Sequence, residues 1–234
     1  MNNIQDEFIS TVSHELRTPL TSIRGFSQTL LNSWDKISDN DKKKFIKIIE
    51  EQSVRLIHLV ENILSVSKIN VERQVLKEID INTEIKKIVA LFSQRRNIIT
   101  QLNPKIPTSR LDEYKLQQIL TNLIDNAIKY SEDTKPVTIV TGMAENNVYI
   151  QVKDEGVGIK EEDYQKIFQK FRRLENHLTS KTQGNGLGLY ITKTLVENMG
   201  GTIGFTSSEN KGTVFEVKFP FYNQEEALKC SQKS

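Results

Sequence analysis

FIKIIEEQSVRLIHLVENILSV, residues 45–66, places Phe45, Ile49, Leu56, Leu59, Val60, Ile63 and Val66 at steps of one, three, four and seven. Such spacing draws one apolar stripe along a helix. The helix reads from about 39 to 69, and a second long helical stretch, from about 4 to 34, precedes it. Ser38 and Asp39 between them are N-cap residue types. So short a connection makes the two helices an antiparallel hairpin. Two helices alone bury little, so a stripe this long calls for a second hairpin and a dimeric four-helix bundle.

Downstream the period breaks. Residues 70–77 (NVERQVLK) are polar and mark a boundary. Beyond it, strands are expected at 78–81, 98–102, 137–142, 148–154, 202–207 and 213–219, and helices at 82–94, 113–131, 161–168 and 188–199. Asn146-Asn147 and Asn210-Lys211-Gly212 are turn signals that join strands into hairpins. The fold class expected is an all-α helical hairpin over 1–70, followed by an α+β sandwich over 78–222 with helices on one face of a mixed sheet. Residues 223–234 read as a polar tail.

The 234 residues carry 32 basic and 30 acidic side chains, a net charge of +2, and only 7% aromatics. That balance gives no basic surface and few stacking platforms for nucleic acid. One cysteine, Cys230, allows no internal disulfide and fits a reducing, cytoplasmic setting. No apolar run nears the ~18 residues of a membrane span. Any membrane attachment is therefore expected only through a segment absent from this chain.

Four strings carry chemistry. His14-Glu15-Leu16-Arg17-Thr18-Pro19-Leu20 sets a histidine on the first helix, with Thr18 one turn on and a proline expected to bend the helix. An imidazole with an ordinary pKa of ~6.5 is largely neutral and nucleophilic at pH 7. Glu15 is placed to hold one ring nitrogen protonated and leave the other free. The plain alternative, an ordinary exposed histidine, does not account for the proline within the string. Asn122 and Asn126, four apart, share a helix face with Lys129 and Tyr130 nearby. Side-chain carbonyls are hard ligands suited to Mg²⁺ that already carries phosphates, although a solvated helix face would also look this way.

Asp154-Glu-Gly156-Val-Gly158-Ile159 follows a strand. Its glycines admit close approach of backbone, and its carboxylate can accept from an exocyclic amine. An ordinary Asp-x-Gly turn is the alternative. Gly184-Asn-Gly186-Leu-Gly188-Leu189 opens a helix and makes an anion site, or else a flexible loop. The polar stretch before it, 173–183, is a candidate lid. Phe168 and Phe171 read as packing residues. P-loop, protein-kinase and dinucleotide signatures are missing, and His14, His58 and His177 lack metal spacing.

Together the strings resemble the bacterial two-component sensor histidine kinases. The phosphoacceptor box is like Phe8-Ile-Ser-Thr-Val-Ser-His14-Glu-Leu-Arg-Thr-Pro19-Leu. The N box is like Asn122-Leu-Ile-Asp-Asn126-Ala-Ile-Lys-Tyr130-Ser. The two glycine boxes are like the strings at 154–159 and 184–189, and the phenylalanine box is like Ile167-Phe168-Gln-Lys-Phe171-Arg-Arg173. The resemblance implies a homodimer with a phosphotransfer hairpin and a gyrase-type ATP-binding domain. It implies His14 as the phosphorylated residue, Glu15 as orienting base, Asp154 as adenine contact, and ATP with Mg as cofactors. Asn126 would hold Mg, with Asn122 as a second candidate. Lys129, Tyr130, Arg173, Gly156, Gly158, Gly184, Gly186 and Gly188 would surround the nucleotide. The partner implied is a response regulator, whose aspartate takes the phosphoryl group, and Thr18 would serve its dephosphorylation. Arg172 departs from the family, which often has tyrosine there. Two other readings compete, a non-catalytic scaffold and an ATPase without phosphohistidine. Intact boxes argue against the first, and the His14-Glu15 string against the second.

Overall fold

Ser38 fixes where the second helix starts. Its hydroxyl accepts the Asp41 N–H at 3.1 Å and donates to the Asp41 carboxylate at 2.7 Å, a reciprocal cap. The computed structural model describes residues 2–68, 75–172, 174 and 186–221. The chain divides into two units, Met1–Asn70 and Val71–Ser234. In the first, α1 (Asn2–Ser33) runs through Pro19 without interruption, a single 3-10 turn follows at Trp34–Lys36, and α2 (Asp39–Lys68) returns. The hairpin closes on Leu30 and Leu59, both buried, and on the Phe26 and Phe45 rings, 5.1 Å apart. One hairpin leaves Ile46, Val54, Ile57, Val60 and Leu64 exposed along α2. Among the described residues no helix is long and apolar enough to cross a membrane.

The second unit is built on a five-stranded mixed sheet. It comprises β2 (Ile98–Leu102), β4 (Val137–Ala144), β5 (Asn147–Lys153), β6 (Thr202–Ser208) and β7 (Gly212–Pro220), in the order β2-β4-β5-β7-β6. Only the β2–β4 pair is parallel. Register aligns one row of side chains, Ile139, Val152, Phe215 and Phe205, and beside it Thr141, Ile150, Val217 and Ile203. β1 (Leu76–Ile79) and β3 (Ser109–Asp112) form a separate antiparallel pair. The helices are α3 (Ile81–Phe92), α4 (Glu113–Lys129) and α5 (Gly188–Asn198). α4 buries Leu116, Ile119, Leu120, Leu123, Ile124 and Ala127, a face at helical spacing. Asp80 and Asp112 cap α3 and α4 through accepted backbone N–H bonds.

Two expectations are corrected. β3 was not anticipated, because Ser-Arg-Leu-Asp is short and charged, and its Asp112 doubles as the α4 cap and as acceptor for the Val75 N–H at 3.0 Å. The helix expected at 161–168 is a 3-10 turn, Glu161–Asp163, followed by further turns. Its backbone bonds step by three, as in Lys166 N–H to the Asp163 carbonyl and Gln169 N–H to that of Lys166. Tertiary anchors dictate this: the Tyr164 hydroxyl donates to the Ser207 carbonyl, and the Tyr164 and Phe168 rings pack edge-on against Phe205.

Arg96 staples the end of α4. Its guanidinium, 2% exposed, donates to the carbonyls of Ile128 (3.0 Å), Ser131 (3.3 Å), Lys135 (3.2 Å) and Glu132, and pairs with Asp133. Removing it would strand several carbonyls in the interior. Arg96→Leu is therefore expected to lower unfolding free energy by about 3–5 kcal/mol. Arg95→Leu, which loses a half-exposed pair with Asp125 and a guanidinium 5.4 Å over the Phe92 ring, should cost about 1 kcal/mol or less. Urea titration of both variants checks this; equal costs would contradict it.

Candidate active sites on the two units

On the hairpin, α1 presents His14 to solvent with its side chain 76% exposed. Glu15 Oε1 lies 3.8 Å from His14 Nδ1, beyond hydrogen-bond range but close enough to attract a ring proton. The other carboxylate oxygen of Glu15 lies 3.4 Å from Arg55 Nη2 on α2. Arg55 was not legible from the sequence, because nothing local ties it to Glu15, forty positions away. Thr18 Oγ1 donates back to the His14 carbonyl at 3.3 Å.

On the second unit, Asn126, Tyr130, Asp154, Val157, Gly158, Ile159, Ile167, Arg172, Leu174, Leu189, Thr213 and Phe215 line a cleft. Asp154 stands at its floor, at the end of β5. Its Oδ1 accepts the N–H of Gly156 at 2.9 Å and of Thr213 at 3.2 Å. The second carboxylate oxygen has no hydrogen-bond partner among the described residues. Burial pushes the Asp154 carboxyl up to about 6, against the two amides that hold it down. The glycines here are steric necessities. A Cβ on Gly156 would overlap the Tyr130 carbonyl, which accepts the Val157 N–H at 3.0 Å, and Gly158 adopts φ +66° against the Ser208 carbonyl.

The structure brings Asn126, Tyr130, Asp154 and Gly158 around one cleft, with Gly156 packed against Tyr130 and Asp154. Other candidates lie apart from its lining. Asn122 Nδ2 reaches the Gly188 carbonyl at 3.5 Å and Thr192 Oγ1 at 3.4 Å, linking α4 to the first turn of α5. Lys129 Nζ pairs with Asp125 at 2.5 Å. Gly186, at φ +68°, abuts the backbone of Phe171 and Arg172; Gly188 opens α5, which has no side-chain cap. Arg173 and Gly184 lie outside the described residues, as does nearly all of the candidate lid. Thr213, whose amide steadies Asp154, was not singled out in the sequence; the Lys211-Gly212-Thr213 turn was the available signal.

Residues 4–72 match the family of the His Kinase A (phospho-acceptor) domain, and residues 111–223 that of the histidine kinase-, DNA gyrase B-, and HSP90-like ATPase. The sensor histidine kinase WalK of Bacillus subtilis is 34% identical over 240 residues, covering 97% of this chain and 38% of WalK. The solved histidine kinase AdeS of Acinetobacter baumannii superposes with a TM-score of 0.69 at 26% identity, over 90% of this chain and 98% of that one. Full-length ShkA in complex with AMPPNP gives 0.68 at 28%, over 93% of this chain and 46% of ShkA. The chain thus spans about two fifths of WalK.

The raised Asp154 pKa has a stability consequence. A carboxyl that binds its proton more tightly when folded destabilises the fold above its folded pKa of about 6, and the penalty fades as pH falls toward the ordinary 3.8. Asp154→Asn keeps an acceptor oxygen for both amides and removes the charge. Without nucleotide it should be more stable than the parent at pH 8, on the order of 2–3 kcal/mol, with the gap narrowing from pH 7 to 5. Urea midpoints across that range check it; a gap independent of pH would contradict it. By its two domain families, its relatives and its fold, the chain belongs to the sensor histidine kinases of two-component signalling.

Proposed function

We propose that the chain binds Mg-ATP in the cleft, phosphorylates its own His14, and passes the phosphoryl group to an aspartate of a response regulator. The supporting observation is Asp154: a half-buried carboxylate with one oxygen fixed by two amides selects a base edge bearing an exocyclic amine, as adenine does. Asn126, on the cleft wall, offers a neutral oxygen, which fits Mg²⁺ brought in by a triphosphate. No cluster of His, Cys, Asp or Glu among the described residues would hold a metal alone. The uncapped first turn of α5, with Gly186 and Gly188, supplies backbone amides for phosphate. Asn122 steadies that turn. Lys129 would exchange Asp125 for a phosphate, Tyr130 would border the bound nucleotide, and Arg173 and Gly184 keep the roles the family resemblance gives them.

Bound Mg-ATP supplies the phosphoryl group, and the residues supply position and charge. The free ring nitrogen of His14 attacks phosphorus, the bond to the ADP oxygen breaks, and Glu15 takes up the proton from Nδ1. Residues 1–70 form the dimerisation and phosphotransfer domain, and 78–222 the ATP-binding domain. The exposed apolar row along α2 supports the homodimer, since a second hairpin would bury it. The setting is the cytoplasm. Phosphatase action toward the regulator is assigned to Thr18, through a water held in line with the aspartyl phosphate.

Labelled ATP should leave acid-labile, base-stable phosphate on the parent and none on His14→Ala. His14→Ala should still bind ADP like the parent, whereas Asp154→Ala should lose about tenfold in affinity or more. Equal ADP binding by Asp154→Ala would defeat the cleft assignment. Thr18→Ala should keep autophosphorylation and slow loss of phosphate from the regulator. If both activities change together, Thr18 acts only through its bond to the His14 carbonyl. In light scattering, a fragment of residues 1–70 should be dimeric and one from residue 75 onward monomeric; the reverse would refute the architecture.

A further inference from the structure

Behind the cleft, three segments converge on one hydroxyl. Ser207, on β6, accepts the Ile159 N–H at 2.9 Å through Oγ. The same Oγ lies 2.9 Å from the Gly212 carbonyl, to which it donates, and 2.9 Å from Thr213 Oγ1. Its backbone carbonyl accepts from the Tyr164 hydroxyl. Next to this junction the Asn210 N–H donates to the Val157 carbonyl at 2.7 Å. Ile159 ends the loop that begins at Asp154, and Thr213 supplies the second amide to Asp154; both line the cleft. One oxygen therefore joins the loop that carries the carboxylate's first amide to the strand that carries its second.

We infer that Ser207 is a positioning residue for nucleotide binding, whose hydroxyl sets the separation between the Asp154–Ile159 loop and the β6–β7 turn. This rests on the cleft being the nucleotide site. The position needs a group that accepts and donates at once, which a hydroxyl does and a methyl does not. Alanine would leave the Ile159 N–H without its partner and let the loop drift from Thr213. The base pocket would then open at its floor, while His14 and the groups assigned to the phosphates stay as they are. The loss should appear in binding and in KM, with turnover at saturation retained.

The test uses the full chain, Mg-ADP titrated by calorimetry, and autophosphorylation at varied ATP. Ser207→Ala should weaken ADP binding about tenfold. It should raise the KM for ATP by the same factor and keep kcat within about twofold of the parent. Ser207→Thr, which keeps the hydroxyl, should restore most of the affinity. Thr141→Val is the control for general loosening: the Thr141 hydroxyl accepts the Asn103 N–H at 3.0 Å and donates to Asn82 Oδ1 at 2.9 Å, away from the cleft. It should lower the unfolding midpoint and leave ADP affinity unchanged. Parent-like ADP affinity in Ser207→Ala, or equal weakening in Ser207→Ala and Thr141→Val, overturns the inference. If Ser207→Ala does not fold, Ser207→Cys, a weaker donor and acceptor, should bind with intermediate affinity, and a parent-like value overturns the inference equally. Failure of the parent itself to bind ADP would instead bring down the nucleotide-site reading, and this inference with it.

Discussion

A carboxylate partly withdrawn from water is the constraint around which the second unit is arranged. Asp154 is unfavourable where it sits, and only the amides of Gly156 and Thr213 moderate the cost. Each amide demands something of the sequence. Gly156 must lack a side chain because the Tyr130 carbonyl occupies the space a Cβ would take. Thr213 must lie beside Asp154, which the pairing of Lys153 with Val214 secures. Asn126 and Tyr130 are brought to the same place by the last turn of α4, which Arg96 holds by its carbonyls. Packing, loop conformation and electrostatics thus meet on one ionisable group.

The hairpin is organised on the opposite principle. Its histidine stands in water, with Glu15 beside it and Arg55 across the hairpin holding Glu15. A single half-buried ion pair at 3.4 Å adds modestly to stability. Its value lies in direction, since it keeps one oxygen of Glu15 near Nδ1. The contrast suits two different tasks, one site that must discriminate a ligand by enclosure and one that must remain accessible.

What the sequence made legible were periodic or locally self-explanatory features. The α2 stripe, the four-residue spacing of Asn122 and Asn126, and the turn residues at 146–147 and 210–212 each announce themselves within a few positions. Long-range effects were not legible. β3 is defined by its partner β1, more than thirty residues earlier, and Glu161–Phe168 loses its helical period to Tyr164 and Phe168 seated on Phe205. Asn122 illustrates the limit of spacing: it shares a helix face with Asn126, yet its amide points to Gly188 and Thr192. Thr213 and Arg55 act through groups far away in sequence, so no local pattern marks them.

The strand order carries a consequence for how the molecule comes into being. β7 is the last strand among the described residues, yet it lies between β5 and β6. During synthesis β5 waits unpaired on one edge, and the floor of the cleft has only half its amides, until residues 212–220 have left the ribosome. The parallel β2–β4 pair can meet once the crossover that contains α4 has been made, well before β7 is synthesised. Nearly the whole unit must therefore be synthesised before the cleft exists. A partly made chain lacks the cleft by construction, and a ligand of the cleft can stabilise only the finished sheet.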